Sequence, residues 1–205
     1  MRTHRPGERA ATCPRCDGQV RDGQVRDGPR CDSPGRRGTP RVPHPRTVTA
    51  AACADPFAGE AFWTDGAHAY VRRDARDELL TPSAESRLVD VNLDPPFPNA
   101  PAFRAAGLLG DPGFAERFRP RVVSTTLAVA WVAAGRRAAY VTDGHLRDSV
   151  HFASGIALCQ AAGCVVTGIY GEPPHTGAGG LVVAADRETH DALLEVIAIG
   201  RSTRT

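Results

Sequence analysis

The sequence lacks lysine, an excess of charge of one sign, and long hydrophobic runs. All 25 basic residues are arginine, and the formal net charge is only +2. So weak a charge gives no reason to expect a nucleic-acid or membrane-surface partner. No stretch approaches the roughly 20 consecutive apolar residues that a membrane span needs. The start, MRTHRPGERA, also lacks the apolar core of a secretory signal. We therefore expect a soluble, cytoplasmic protein with no nucleic-acid and no membrane partner.

The six cysteines do not form the pattern of a disulfide framework. Cys159 and Cys164 lie among alanine, valine, isoleucine and leucine, where reduced and buried thiols are common. Cys13 and Cys16 form one closely spaced pair, as zinc sites require, but the second half of such a site should also be a close pair. The remaining cysteines do not supply it, so we do not expect a zinc site.

The composition changes sharply near residue 48 and predicts two regions. Residues 1–47 are dominated by arginine, glycine, proline and aspartate, and contain the tandem repeat GQVRD at 18–22 and 23–27. So little apolar surface cannot offset the entropy cost of ordering the chain. We predict a disordered arm over residues 1–47 and a folded domain over residues 48–205.

The folded region alternates predicted strands with predicted helices. The turn signals Asp55-Pro56 and Asp65-Gly66 divide residues 48–71 into a β-hairpin. The other strands are expected at 87–93, 137–142, 164–167 and 181–185, and the helices at 100–118 (two short ones), 124–135, 149–163 and 186–200. Alternation of this kind predicts an α/β fold in which helices pack on the faces of a layered sheet.

Four segments resemble the C-terminal part of inositol monophosphatases in the same order and at nearly the same spacing. They are ADPFAGEAFWTDGAHAYV, RVVSTTLAVAWVAAGRRAAYV, HFASGIALCQAAGCVVT and GLVVAADRETHDALLEVI, within about residues 48–198. The resemblance implies a layered α/β sandwich and hydrolysis of phosphomonoesters, such as inositol or sugar phosphates, with Mg²⁺. Since members of that family are often dimers, it also allows a homodimer.

The resemblance also shows where this sequence departs from the family's metal site. The family takes its magnesium ligands from a Glu on a helix, from the loop Asp-Pro-x-Asp-Gly-Thr, and from the Asp of a later Trp-Asp motif. The first two motifs are absent from this sequence, and His151 aligns with the Asp of the third. Asp148, three residues earlier, is the alternative ligand if the helix start shifts. Imidazole suits zinc and other transition metals better than magnesium, so Mg²⁺ binding by this chain is in doubt.

The predicted substrate-binding residues are Ser124, Thr125 and Thr142. Ser124 and Thr125 lie at a predicted helix start, where hydroxyl and backbone N–H groups suit a phosphate but where simple capping is the alternative role. Thr142 aligns with an acidic residue of the family that follows a strand. The implied partner is a phosphorylated small molecule. Two functions remain open: a magnesium-dependent phosphomonoesterase that is inactive as this chain alone, or a non-catalytic remnant that binds a sugar phosphate or another protein.

Overall fold

The computed structural model describes residues 48–93, 103–144, 146, 149–176 and 179–202. The disordered arm predicted for residues 1–47 lies outside this range and stays a prediction. Within the described residues, no helix has the length and apolar character needed to cross a bilayer.

The first sheet begins in the segment that predicted a hairpin and continues beyond it. Its four antiparallel strands follow one another in chain order, β1 Ala51–Asp55, β2 Glu60–Thr64, β3 Ala69–Arg73 and β4 Arg76–Leu79. Aspartates make the first two turns, because Asp55 Oδ1 accepts the N–H groups of Phe57 and Ala58 and Asp65 Oδ1 accepts those of Ala67 and His68. The predicted hairpin is therefore confirmed, and two more strands extend it.

The second sheet has five strands in the order β6-β5-β7-β9-β8. The strands are β5 Leu88–Asn92, β6 Arg119–Val123, β7 Ala139–Thr142, β8 Val165–Thr167 and β9 Leu181–Ala184. β5 pairs in parallel with both β6 and β7, whereas β9 is antiparallel to β7 and β8. β6 was not predicted from the sequence, since its two arginines and Pro120 hide the apolar pattern. Proline is tolerated there because β6 is an edge strand.

The helices agree with the predicted alternation. They are a 3₁₀ helix Ala105–Gly110, α1 Pro112–Arg117, α2 Leu127–Ala133, α3 Val150–Ala161 and α4 Arg187–Ser202. The two short helices expected at 100–118 are present as the 3₁₀ helix and α1. The N-terminal cap predicted for α4 is confirmed, because Asp186 Oδ1 accepts the N–H of Thr189 at 2.7 Å.

Apolar residues cover both faces of the five-stranded sheet. On one face, Tyr140, Leu181 and Val183 pack with α2, α3 and residues of the antiparallel sheet. On the other face, Val89 and Val91 pack with the 3₁₀ helix, α1 and α4. Helices α2 and α3 thus lie between two sheets, and the predicted layered α/β sandwich is confirmed.

Helices α2 and α3 cross in close contact at Gly155. A Cβ atom at this position would lie 2.9 Å from Val129 Cβ, which is closer than real Cβ contacts come. Glycine is therefore needed for this crossing, and it fixes where α3 sits against α2.

Candidate functional site

Three parallel strands end together at one edge of the five-stranded sheet. Asn92 at the end of β5 is in register with Val123 at the end of β6 and with Thr142 at the end of β7. Ser124 follows Val123 directly, so the structure brings the predicted residues Ser124 and Thr142 to the same edge. In open α/β sheets, ligands bind at the carboxyl ends of the strands. This end of the sheet, called here the carboxyl edge (Asn92, Val123–Thr125 and Thr142–Asp143), is the candidate site.

Helix α2 begins later than predicted. The helix starts at Leu127, and its N-terminal cap is Thr126, which makes no side-chain capping bond. Thr125 contributes instead through its Oγ1, which accepts the N–H of Leu127 at 3.2 Å. Thr125 thus caps a short turn before the helix, although it is not the N-terminal cap residue. The substrate-binding role of Ser124 and Thr125 stays a prediction.

Thr142 and its neighbour Asp143 lie inside the fold. Thr142 is only 1% exposed and Asp143 only 5%. The Oδ2 atom of Asp143 accepts the backbone N–H of Ala105 at 3.0 Å and lies 3.8 Å from Arg104 Nη1. Asp143 therefore holds the start of the 3₁₀ helix against the carboxyl edge. The substrate role predicted for Thr142 is untested, and a ligand would have to reach a buried hydroxyl.

Sequence analysis did not single out Asn92 and Asp143. Asn92 is 4% exposed, and its side-chain Nδ2 donates to the hydroxyl of Tyr140 at 2.8 Å. Both residues stand where a buried strand ends, and a polar residue at that place was the available signal.

Of the two predicted metal ligands, His151 lies within the described residues and Asp148 does not. His151 is exposed in the first turn of α3. Asp148 lies outside the described residues, so the predicted pair with His151 stays untested.

An open cavity of about 610 Å³ lies where the end of β1 faces the start of α2. Thr125 borders it, together with Trp131 of α2 and Ser154 of α3, which is one helical turn beyond His151. Phe57 is at its rim and is fully exposed. The buried indole Nε1 of Trp131 has no hydrogen-bond partner among the described residues. Of the predicted substrate residues, Thr125 is thus the one that borders this cavity.

The buried carboxylates are engaged by the protein. Glu60 accepts hydrogen bonds from Arg73 Nε and Arg136 Nη2, both at 2.6 Å. The hydrogen bond from Arg136 is the main reason why the pKa of Glu60 is lowered, and Arg73 adds to it. Asp90 is fully buried and accepts from Arg137 Nε at 2.8 Å, but burial outweighs that pair and raises the pKa of Asp90.

The residues of the carboxyl edge do not fit a magnesium pair. Mg²⁺ binds oxygen ligands, preferably carboxylates, whereas this edge presents hydroxyl and amide groups and one aspartate that is already bonded to Ala105. In the part of the chain that the structure describes, no three His, Cys, Asp or Glu side chains are grouped to hold a metal ion. No reaction step through Mg²⁺ can be derived from these side chains.

The fold is similar to several solved structures. An inositol monophosphatase (IMPase) from Thermotoga maritima matches with a TM-score of 0.59 and 17% identity, covering 77% of this chain and 59% of that protein. SuhB from Mycobacterium tuberculosis matches with a TM-score of 0.57 and 23% identity, covering 74% of this chain and 59% of that protein. SaIMPase-II bound to inositol monophosphate matches with a TM-score of 0.54 and 18% identity, covering 76% of this chain and 58% of that protein. The chain therefore spans less than two thirds of the length of these structures.

Sequence comparison identifies the family. A search of curated proteins found no match. The family model described as "Inositol monophosphatase family" matches residues 45–200, which is most of the chain. This range agrees with the 48–198 over which the four motifs resemble that family. The chain belongs to the inositol monophosphatase family.

Proposed function

We propose that this chain binds phosphate monoesters of inositol or of sugars at its carboxyl edge and that, alone, it does not hydrolyse them with Mg²⁺. The observation that carries the proposal is the chemistry of that edge. Ser124, Thr125, Asn92 and Thr142 are neutral hydrogen-bonding residues, and the one acid among them, Asp143, is bonded to Ala105. Neutral hydroxyl and amide groups suit a phosphate or sugar ligand, whereas metal-assisted hydrolysis requires carboxylates that hold the ions.

Family membership supports the class of ligand. The neighbour SaIMPase-II has been observed with inositol monophosphate bound, and this chain has the same fold over three quarters of its length. Thr125 borders the open cavity, so a phosphorylated ligand can approach its hydroxyl without displacing the core.

A metal-dependent phosphatase is the second candidate. The observation that favours it is the exposure of His151 in the first turn of α3, at the position that aligns with a metal-binding Asp of the family. In that case His151 and Asp148 would hold the ion, and further ligands would have to come from elsewhere.

The test measures binding and turnover separately with the full chain. Inositol 1-phosphate, glucose 6-phosphate and unphosphorylated inositol are titrated calorimetrically, and phosphate release is followed as Mg²⁺ is raised. We expect binding of the phosphorylated compounds but no Mg²⁺-dependent release. Thr125→Val should weaken binding by about fivefold, since one neutral hydrogen bond is lost.

Two variants make the outcome decisive. Thr81→Val changes an exposed threonine that does not border the cavity, and it should bind like the unaltered chain. Phosphate release that requires Mg²⁺ and disappears both with chelator and in His151→Ala would establish the second candidate instead. Equal affinity for inositol and its phosphate, or an unchanged affinity in Thr125→Val, would contradict the proposed binding site.

A further inference from the structure

Helix α3 ends in a turn that brings two cysteines together. The helix stops at Ala161, and Gly163 adopts a left-handed conformation with φ of 86°. The N–H of Cys164 donates to the carbonyl of Cys159 at 2.9 Å, and that of Gly163 donates to the carbonyl of Gln160 at 3.2 Å. These two bonds define a Schellman motif, and in such motifs the side chains of the first and last residues are frequently in contact. In this chain both of those residues are cysteine.

The surroundings of the two thiols differ. Cys159 is fully buried, and its Sγ donates to the carbonyl of Val129 at 3.1 Å. Cys164 is half-buried and packs at the edge of the same apolar cluster. Burial raises the pKa of the Cys159 thiol, and the neighbouring Cys164 thiol adds to this rise. An external reagent therefore meets Cys164 first, and Cys159 is positioned to react second.

A third thiol, Cys53 on β1, is the competing partner. It packs against the same cluster and is close enough to affect Cys159 electrostatically. Burial raises the pKa of Cys53 to about 11, and it raises the pKa of Cys159 as well, so the thiolate fraction does not distinguish these two thiols. Cys53 lies on β1 of the antiparallel sheet, whereas a single turn holds Cys159 and Cys164 together through the backbone hydrogen bond between them.

We propose that Cys159 and Cys164 form a reversible disulfide that closes the C-terminal turn of α3 when the chain meets a low-molecular-weight disulfide such as oxidised glutathione. The thiolate of Cys164 attacks one sulfur of the reagent, which breaks its S–S bond and releases one thiolate. The thiol of Cys159 then loses its proton and attacks Cys164 Sγ, which releases the second thiolate. The two cysteines are oxidised by two electrons, and one molecule of reagent is reduced to two thiols.

The test uses the full chain and takes advantage of its arginine spacing. Trypsin cleaves after Arg147 and Arg187, with no arginine between, so one peptide carries Cys159 and Cys164 and no other cysteine. The chain is incubated with graded ratios of oxidised to reduced glutathione, quenched with acid, alkylated and digested. We expect this peptide to appear without alkylation and lighter by two hydrogens. Half-conversion should require an about tenfold less oxidising ratio in the folded chain than in 8 M urea, where the turn no longer holds the thiols together (roughly a tenfold gain in effective concentration).

Variants distinguish a disulfide between Cys159 and Cys164 from one that involves Cys53. Cys53→Ser should leave the disulfide unchanged, and Cys164→Ser should abolish it. If Cys164→Ser does not fold, the comparison of the unaltered chain with Cys53→Ser still decides the question. A cross-link to the peptide that carries Cys53, a persistent mixed disulfide on Cys164, or equal conversion in folded and urea-unfolded chain would each overturn the proposal.

Discussion

Two consecutive arginines attach the two sheets of the fold to the segment between α2 and β7, and they do so in different ways. Arg136 bonds to Glu60 of the antiparallel sheet, which Arg73 also contacts, whereas Arg137 is the ion-pair partner of Asp90 in the five-stranded sheet. Glu60 keeps a trace of exposure, and Asp90 has none. The pKa of Glu60 is lowered, mainly by Arg136, while that of Asp90 is raised by burial.

The contrast shows that an ion pair alone does not decide which charge state is favoured. Around Glu60, two guanidinium groups compensate for partial loss of water. Around Asp90, the ion pair with Arg137 and the charge of Arg121 do not compensate for its complete loss. The antiparallel sheet therefore carries a pair that favours the ionised acid, and the five-stranded sheet carries one in which burial favours the neutral acid.

Removal of Arg137 should have the largest effect. Arg137→Ala leaves the fully buried Asp90 without its ion-pair partner, and breaking such a pair costs about 3–5 kcal/mol of the free energy of unfolding. Urea unfolding at pH 7 measures it. Arg72→Ala, which removes an exposed pair with Asp77, is the control and should leave the midpoint nearly unchanged. Equal midpoints for Arg137→Ala and this control would remove the basis of the comparison.

The same change one residue earlier should cost less. Arg136→Ala removes hydrogen bonds to a charged acceptor but leaves Glu60 its contact with Arg73. We expect a loss of about 1–3 kcal/mol by the same unfolding measurement. A loss as large as that of Arg137→Ala would mean that Arg73 does not compensate, and the two sites would then be equivalent.

The free energy of unfolding should depend on pH with opposite signs for the two acids. We expect this effect to be smaller than those of the two arginine variants. The pKa of folded Glu60 is below its ordinary 4.5, so its contribution is present above pH 4.5 and is lost as the pH falls through the folded value. The pKa of folded Asp90 is above its ordinary 3.8, so its contribution is present below pH 3.8 and is lost as the pH rises through the folded value.

Glu60→Gln and Asp90→Asn test these opposite slopes. The difference in unfolding free energy between the unaltered chain and Glu60→Gln should shrink as the pH is lowered from 7 to 3. The difference for Asp90→Asn should move the other way over the same range. Slopes of the same sign in both variants would contradict the opposite pKa directions.

The sequence predicted elements whose signal is local and missed those that depend on distant partners. Buried runs such as AYVT of β7 and the capping Asp186 of α4 carry their own pattern, and both were found where expected. β6 was missed because it is an edge strand rich in arginine. The pair between Arg136 and Glu60 joins residues 76 positions apart, a separation over which no local pattern carries information.

The candidate site was predicted less completely than the fold. Ser124 was expected from its position at a predicted helix start and Thr142 from family resemblance, and their position at one edge follows from the parallel pairing of β5 with β6 and β7. Asn92 and Asp143 were missed because their importance depends on that strand order, which the sequence alone did not give. The burial of Thr142 is likewise a property of the tertiary structure and not of its neighbours in sequence.

The crossing at Gly155 has a consequence for redesign of this protein. No larger side chain fits at Gly155 against Val129, so this contact fixes the position of α3 relative to α2. Substitutions of exposed residues in the first turn of α3 do not need to move the helix. New carboxylates at His151 or Ser154 would therefore enter on a helix whose position is already set. Any attempt to give this scaffold a metal site can begin at those two positions, provided that Gly155 is retained.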